Sequence, residues 1–403
     1  MIPRPEALGH LMRYRDTEQL VKVVTGVRRC GKSTLLEMFR DRLLADGVPQ
    51  GSVFSVNFER FEFATVDTPE KLHAMVTDHQ FPAGKRYLLL DEVQLVPQWE
   101  KVVNSLRLEP VNDVYITGSN LHLLDSSLAT LLSGRYVRID TFPLSFSEYL
   151  SARPADEQVS RRQRFSEYLR TGGLPGLLNL PDDNQIAREY LDGVLNTIVM
   201  KDIVQTHNVR DVDALEKIIR YLTANLGNQV TATAIANYLV SSGRRIAADT
   251  VDNYLRLLED AFLFYRARRL DLRSKATMKT NEKFYLTDLG FRSLLFGMGL
   301  ADLGRLLENV VYFELRRRGY QISVGKHGAL EVDFVAVKPE TGIHYYQVTQ
   351  SMLDPSTAAR ELAPLQAIKD QYPKTVLSLD EVVQRDFDGI QHQDLIDFLL
   401  SDH

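Results

Sequence analysis

Eight consecutive residues, Gly26-Val27-Arg28-Arg29-Cys30-Gly31-Lys32-Ser33, constrain this chain more than any other stretch. They match G-x-x-x-x-G-K-[S/T] without deviation. An apolar run over residues 20–25 precedes them and a helical pattern over 33–44 follows. Between a strand and a helix, the two glycines let backbone N–H groups turn inward around an anion at the positive end of the helix. Lys32 is then placed to reach phosphate oxygens, and Ser33 offers its hydroxyl to a divalent cation. Val27, Arg28, Arg29 and Thr34 complete the expected cradle. A chance match in a glycine turn would lack the flanking strand and helix. Cys30 fills a small loop position and is assigned no redox role.

The next hundred residues supply what such a loop requires. Short buried-type strands at 53–57, 87–90 and 114–117 alternate with helical or polar segments, which predicts βαβ units and a parallel sheet. The strand Tyr87-Leu88-Leu89-Leu90 ends in Asp91-Glu92. Alone, an Asp-Glu pair reads as a solvated turn. Coupled to the loop, it places Asp91 beside the phosphates to hold the Mg²⁺ shell and Glu92 to orient and polarise the attacking water. Thr117, Ser119 and Asn120, at the end of the 114–117 strand, are candidates for contacts to the γ-phosphate or that water. Arg135, in Leu132-Ser133-Gly134-Arg135-Tyr136, is a candidate arginine finger that neutralises developing phosphoryl charge.

At 403 residues the chain is too long for one ordinary core. Its 44% hydrophobic and 25% charged residues are those of a soluble globular protein. A formal net charge of -5 argues neither for nor against nucleic acid, so any basic surface must be local. The single cysteine excludes an internal disulfide framework and a cysteine-based metal site. The opening residues Met1-Ile2-Pro3-Arg4-Pro5-Glu6 carry no apolar signal core, and no apolar stretch approaches the roughly 20 residues of a membrane span. A cytoplasmic location is expected. Changes of texture suggest an ATPase core over 1–142, a helical lid over 143–225, a third domain over 226–283 and a fourth over 284–403.

In the third segment Ile235, Tyr238 and Leu239 recur at helical spacing. Val251, Tyr254, Leu255, Leu258 and Phe262 form the apolar face of a second helix, with Asp249 as its expected cap. Joined by Ser241-Ser242-Gly243, the pair fits a helix-turn-helix. Arg244, Arg245, Asn253 and Arg256 then fall at the turn or off the apolar face. A basic run over 266–283 follows, with Arg268, Arg269, Arg273 and Lys275 expected to contact DNA phosphates.

The segments KVVTGVRRCGKSTLL, YLLLDEVQ, ITGSN and LSGRYVRIDTFPLSFSEYL, in this order, resemble the ATPase domain of a large bacterial and archaeal AAA+ family, similar to the archaeal-type ATPases. The likeness continues through GGLPGLL, NQVTATAIANYL, KFYLTDLG and LLENVVYFELRRRGY to EVDFV, covering nearly the whole chain. It implies an α/β P-loop NTPase with a parallel sheet and helical lid, followed by a winged helix and an α/β domain similar to restriction endonucleases. It implies ATP and Mg²⁺ as ligands, DNA as a partner, and a homo-oligomer, ring or partial ring, in which Arg135 acts across the interface. In related signalling NTPases a glycine-proline lid turn packs near the nucleotide, which points to Gly173 and Pro175. Glu308, Asp333, Gln347 and Thr349 fall where the endonuclease-like fold carries its metal ligands and lysine. With Gln347 and Thr349 there, the lysine and one ligand are missing; Glu308 and Asp333 could still hold a weak metal, but the fold is expected to be catalytically silent and kept for DNA binding or assembly. The alternatives are a nucleotide-dependent switch binding a protein partner, and an ATP-gated nuclease.

Overall fold

The computed structural model describes residues 1–119, 132, 134–153, 158–181, 183–297, 303–381 and 386–401. The chain divides into two units, one of residues 1–143 with 260–262, the other of 144–259 and 263–403. No helix among the described residues is long and apolar enough to cross a membrane.

The first unit is built on five strands: β1 (Val21–Thr25), β2 (Val53–Asn57), β3 (Arg86–Asp91), β4 (Asn112–Gly118) and β5 (Tyr136–Asp140). They pair in the order β2-β3-β4-β1-β5, all parallel. Helices α1 (Pro5–Arg13), α2 (Lys32–Ala45), α3 (Pro69–Thr77) and α4 (Trp99–Leu108) supply the apolar surfaces that cover it. Val23, Leu88, Leu90 and Ile116 pack with Leu72, Trp99 and Val103 from α3 and α4. Val24, Leu89 and Tyr115 pack with Leu11, Leu35 and Phe39 from α1 and α2. Burial on both faces is why these strands read as apolar runs rather than alternating ones. Lys22 is the exception inside β1. It is wholly buried and forms an ion pair with the equally buried Asp113 of β4. Its ammonium also donates to the Thr17 carbonyl at 2.7 Å, while Tyr115 donates to the same Asp113 carboxylate at 2.8 Å.

Parallel register brings the C-terminal ends of all five strands to one sheet edge. Thr25 aligns with Gly118 and Asp140, and Asn57 with Asp91. In the sheet β4 lies between β1 and β3, with Thr117 near its C-terminal end.

The second unit begins with α5 (Phe146–Ser151), α6 (Arg161–Thr171), α7 (Asn184–Thr197), a wider helical stretch Ile198–Gln205 and α8 (Val212–Ala224). Capping boxes start α5, with Ser145 and Glu148, and α6, with Ser160 and Gln163. Then come β6 (Gln229–Val230), α9 (Ala232–Ser241), α10 (Ala248–Asp260), β7 (Phe264–Asp271), β8 (Thr277–Leu286), α11 (Leu289–Phe296) and α12 (Leu303–Arg317). The chain closes with β9 (Gln321–His327), β10 (Leu330–Lys338), β11 (Gly342–Val348), α13 (Pro355–Ala367), β12 (Lys374–Ser378), β13 (Asp386–Phe387), β14 (Ile390–Asp394) and α14 (Leu395–Leu400). Its sheet runs β13-β14-β12-β11-β10-β9-β7-β8-β6.

Three expectations change here. The boundary drawn between 283 and 284 falls inside β8, and β7 pairs in parallel with β9, so the hairpin and the C-terminal strands form one sheet. On α9, Ile235 and Leu239 are buried, but Tyr238 is exposed and packs on Tyr221. Asp249 lies in the first turn of α10 rather than before it.

Candidate nucleotide-phosphate site

The chain leaves β1 through Gly26 at a φ of 153°, and a Cβ there would stand 2.0 Å from the Thr141 carbonyl oxygen. Only glycine allows the loop to cross the end of β5 so closely. Arg29 and Gly31 are also left-handed, with φ of 67° and 100°. Gly31 starts α2 with no side-chain cap, so the first-turn N–H groups face the loop's hollow without a capping oxygen. Lys32 is buried and its ammonium donates to the Gly26 and Val27 carbonyls at 3.1 and 3.2 Å. Ser33 and Thr34 are half-buried on the first turn of α2. Arg28 lies 3.5 Å from Glu59, and Arg29 is exposed.

A residue the sequence reading missed fixes the loop from behind. The buried Arg4 guanidinium donates to the Cys30 and Phe142 carbonyls, each at 2.9 Å. The Cys30 thiol donates to the Thr141 carbonyl at 3.2 Å, and burial pushes it further toward the protonated form.

The acidic side is organised around Thr117. Its hydroxyl donates to Asp91 Oδ1 and accepts the Glu92 N–H at 2.9 Å. Asn57 Nδ2 donates to Asp91 Oδ2 at 2.7 Å. Glu92 is held at a φ of 55°, and its carboxylate accepts from Gln94 Nε2. Burial pushes the Glu92 carboxyl up, the Lys32 ammonium opposes this, and the Asp91 charge adds to it. Ser119 is buried at the end of β4, and Asn120 lies outside the described residues. Asn57 and Gln94 carried no sequence signal, since a single amide at a strand end or in a turn is ordinary.

Arg135 is exposed at the opposite sheet edge. Its carbonyl accepts the Val21 N–H at 3.0 Å, just before β5 begins. Four residues of β1 rise ~13 Å between that point and the loop.

In the second unit, Gly173 donates its N–H to Asp288 Oδ2 at 2.7 Å, and its carbonyl accepts from Leu144. Pro175 opens the short turn Pro175–Asn179. Asp288 also caps α11 through Gly290, and burial raises its carboxyl to about 7 despite these N–H donors.

Of the expected DNA contacts, Arg245, Asn253, Arg256, Arg268, Arg273 and Lys275 are exposed. Arg256 pairs with Asp252. One expectation does not hold. Arg269 is 5% exposed, because its position on β7 points inward. Arg244 is engaged by Asp211 and Asp213. The end of the basic run is also internal: Lys283 is buried against Glu308 and Glu331. Asp333 and Gln347 face the same interior, the Asp333 N–H donating to Gln347 Oε1 at 3.3 Å, while Thr349 is buried just beyond β11.

An uncapped helix start, an ammonium and two buried carboxylates at one sheet edge are suited to a polyphosphate anion accompanied by a divalent cation. The comparisons agree. Residues 18–150 match the family described as AAA domain, and residues 162–302 match a domain of unknown function. A Walker-type ATPase of Pyrococcus abyssi is similar in structure, with a TM-score of 0.51 at 16% identity, covering 73% of this chain and 96% of that one. An uncharacterized protein of Methanocaldococcus jannaschii is 29% identical over 78% of this chain and 71% of its own length. An uncharacterized protein of Haemophilus influenzae is 38% identical over 100% of this chain and 99% of its own. With that identity along its whole length, and an AAA domain around the loop, the chain belongs to the family of the Haemophilus influenzae protein, a family of P-loop proteins of the AAA type.

Proposed function

We propose that the chain binds ATP with Mg²⁺ at the 26–33 loop, hydrolyses it, and couples the nucleotide state to DNA binding or remodelling as a homo-oligomer. The observation that carries this reading is the buried Asp91–Thr117–Glu92 array on the same sheet edge as Lys32. The bound nucleotide supplies the β–γ anhydride, and Mg²⁺ supplies charge that offsets its oxygens. Lys32, the first-turn amides of α2 and the Ser33 hydroxyl bind and orient the phosphates. Asp91 is fixed by Asn57 and Thr117 as the metal-facing carboxylate. Glu92, made more basic by burial, takes the proton of the attacking water. Arg135 lies on the edge away from its own loop, which favours action on the loop of a neighbouring copy.

Arg245, Asn253, Arg256, Arg268, Arg273 and Lys275, exposed on α10, on the turn before it and on the β7–β8 hairpin, support a winged-helix-type contact with DNA phosphates. Tyr238 and Val240, exposed on α9, favour a second reading in which the nucleotide controls docking of a protein partner.

One experiment separates these. ATP turnover and salt-dependent DNA binding are measured for wild type, Glu92→Gln, Arg135→Ala and an equal mixture of the two variants. Glu92→Gln is expected to bind ATP without turnover, and the mixture to regain part of the activity. Wild-type turnover by Glu92→Gln would refute the water-activating role, and full activity of Arg135→Ala alone would refute the finger. Binding of DNA at no salt concentration would leave the protein-partner switch.

A further inference from the structure

Strand β8 carries a lysine into the interior of the second unit's sheet. Lys283 is in register with Gln229 of β6 and Ala267 of β7, and its side chain is almost fully buried. Its ammonium lies 2.8 Å from Glu308 Oε1, 2.9 Å from Glu331 Oε1 and 3.7 Å from Asp333 Oδ1. Burial works against the charge, yet Glu308, Asp333 and Glu331 together more than offset it and hold the lysine firmly protonated.

The surroundings fix these carboxylates in place. Tyr285 donates its hydroxyl to Glu308 Oε1 at 2.6 Å. Gly227, at a φ of 70°, brings its backbone so close that a Cβ would stand 2.9 Å from Glu308 Oε2. Asp333 Oδ2 accepts the Val348 N–H at 2.9 Å. Gln347 directs its amide oxygen to the Asp333 N–H and donates its amide nitrogen to Glu361 Oε2 at 2.9 Å.

An endonuclease-like site would hold a divalent cation among Glu308, Asp333 and residue 347. The residues present do not fit one. The ammonium occupies the centre of the carboxylates, and Gln347 has committed its oxygen to the backbone. Among the described residues no group of three or more Asp, Glu, His or Cys side chains is disposed to hold a metal ion.

We propose that Lys283 is a built-in replacement for that divalent cation: its ammonium sits among the Glu308, Glu331 and Asp333 carboxyls and excludes metal, making this sheet a metal-independent scaffold. Mg²⁺ requires oxygens at ~2.0–2.1 Å, closer than these stand around the ammonium, so it cannot enter while Lys283 is in place. Moving the lysine out would leave the Glu308 and Glu331 carboxylates without their counter-charge. The identity of residue 347 follows, because an acidic ligand is needed there only when a metal is held.

The test uses the full chain without nucleotide, Mn²⁺ binding by electron paramagnetic resonance, and thermal unfolding with and without Mn²⁺ or Mg²⁺. Wild type is expected to show no Mn²⁺ site that disappears in Asp333→Asn; this dependence separates the cluster from the site at Asp91. Lys283→Ala should melt lower than wild type, recover at least half the loss on adding the cation, and gain a Mn²⁺ site that Asp333→Asn removes. Should Lys283→Ala not fold, Lys283→Ala combined with Glu331→Gln, which removes one surplus negative charge, is read in the same way. Mn²⁺ binding by wild type that depends on Asp333 would overturn the proposal. So would the absence of cation-dependent recovery in the Lys283 variant that folds.

Discussion

Replacing Thr117 with valine keeps the shape of the side chain and removes only the hydroxyl that links Asp91 to Glu92. Two losses follow from the geometry. Asp91 loses a charge-assisted donor, worth about 1.5–3 kcal/mol, and the buried Glu92 N–H is left without its acceptor, a cost of about 1–3 kcal/mol. Partial relaxation of the strand end brings the net loss of stability to about 2–4 kcal/mol. Glu92 sits in a left-handed conformation that is strained by about 1–3 kcal/mol and is held there partly by this bond. Without the hydroxyl, the carboxylate is no longer fixed, and we predict that ATP turnover falls by about 10–100-fold, equivalent to about 1.4–2.7 kcal/mol. Nucleotide affinity should change by less than about threefold, since Lys32 bonds to Gly26 and Val27 rather than to Thr117. The assay pairs steady-state phosphate release with equilibrium binding of a fluorescent ATP analogue. Thr117→Ser, which retains the hydroxyl, is the control. Turnover by Thr117→Val within twofold of wild type, or an equal defect in Thr117→Ser, would refute the reasoning.

Two further predictions rest on buried charge. Asp113→Ala leaves the Lys22 ammonium without its counter-ion in the first unit and should cost about 3–5 kcal/mol, while Lys22→Met with Asp113→Leu should regain only part of it, because Thr17, Tyr115 and Asp16 lose hydrogen-bond partners; denaturant unfolding checks both, and a single-variant loss below about 1 kcal/mol contradicts the pairing. His344 is held down to about 4 by burial. The unfolded chain therefore takes up a proton below about pH 6.5 that the folded chain refuses until about pH 4. Stability should fall across that window by up to about 3 kcal/mol; an NMR titration showing His344 protonating near pH 6.5 in the folded protein would rule this out.

The ATPase part of the fold was legible because its signals are local. The 26–33 loop and the apolar strands each declare themselves within a few residues, a sheet buried on both faces leaves no alternation to misread, and Asp91-Glu92 reads as more than a turn only in company with that loop. What stayed hidden depends on partners far along the chain. Arg4 acts through carbonyls at 30 and 142, and Asn57 through a carboxylate on the next strand, so neither is visible in its own neighbourhood. The basic run misled for the same reason. Charge composition alone cannot separate the exposed Arg268 from the inward-facing Arg269 beside it. Nor does it show that Lys283 answers carboxylates on α12 and β10. The expected boundary at 283 falls inside β8, and the hairpin joins the larger sheet through β7, a pairing set by register rather than by any turn residue.

The pairing of β7 with β9 also has a consequence in time. Arg269 aligns with Val324, 55 residues further along the chain. At about 5–20 residues per second, synthesis needs about 3–11 s to deliver the partner strand. During that interval the hairpin of β7 and β8 can form, but one edge of β7 has no neighbour, and the ammonium of Lys283 waits for carboxylates on α12 and β10. An open strand edge of this kind invites pairing with other chains. Production of this protein is thus exposed to aggregation through the β7 edge while the ribosome translates residues 270–327. Slower translation of that segment prolongs the hazard, and a chaperone that shields the β7 edge for those seconds relieves it.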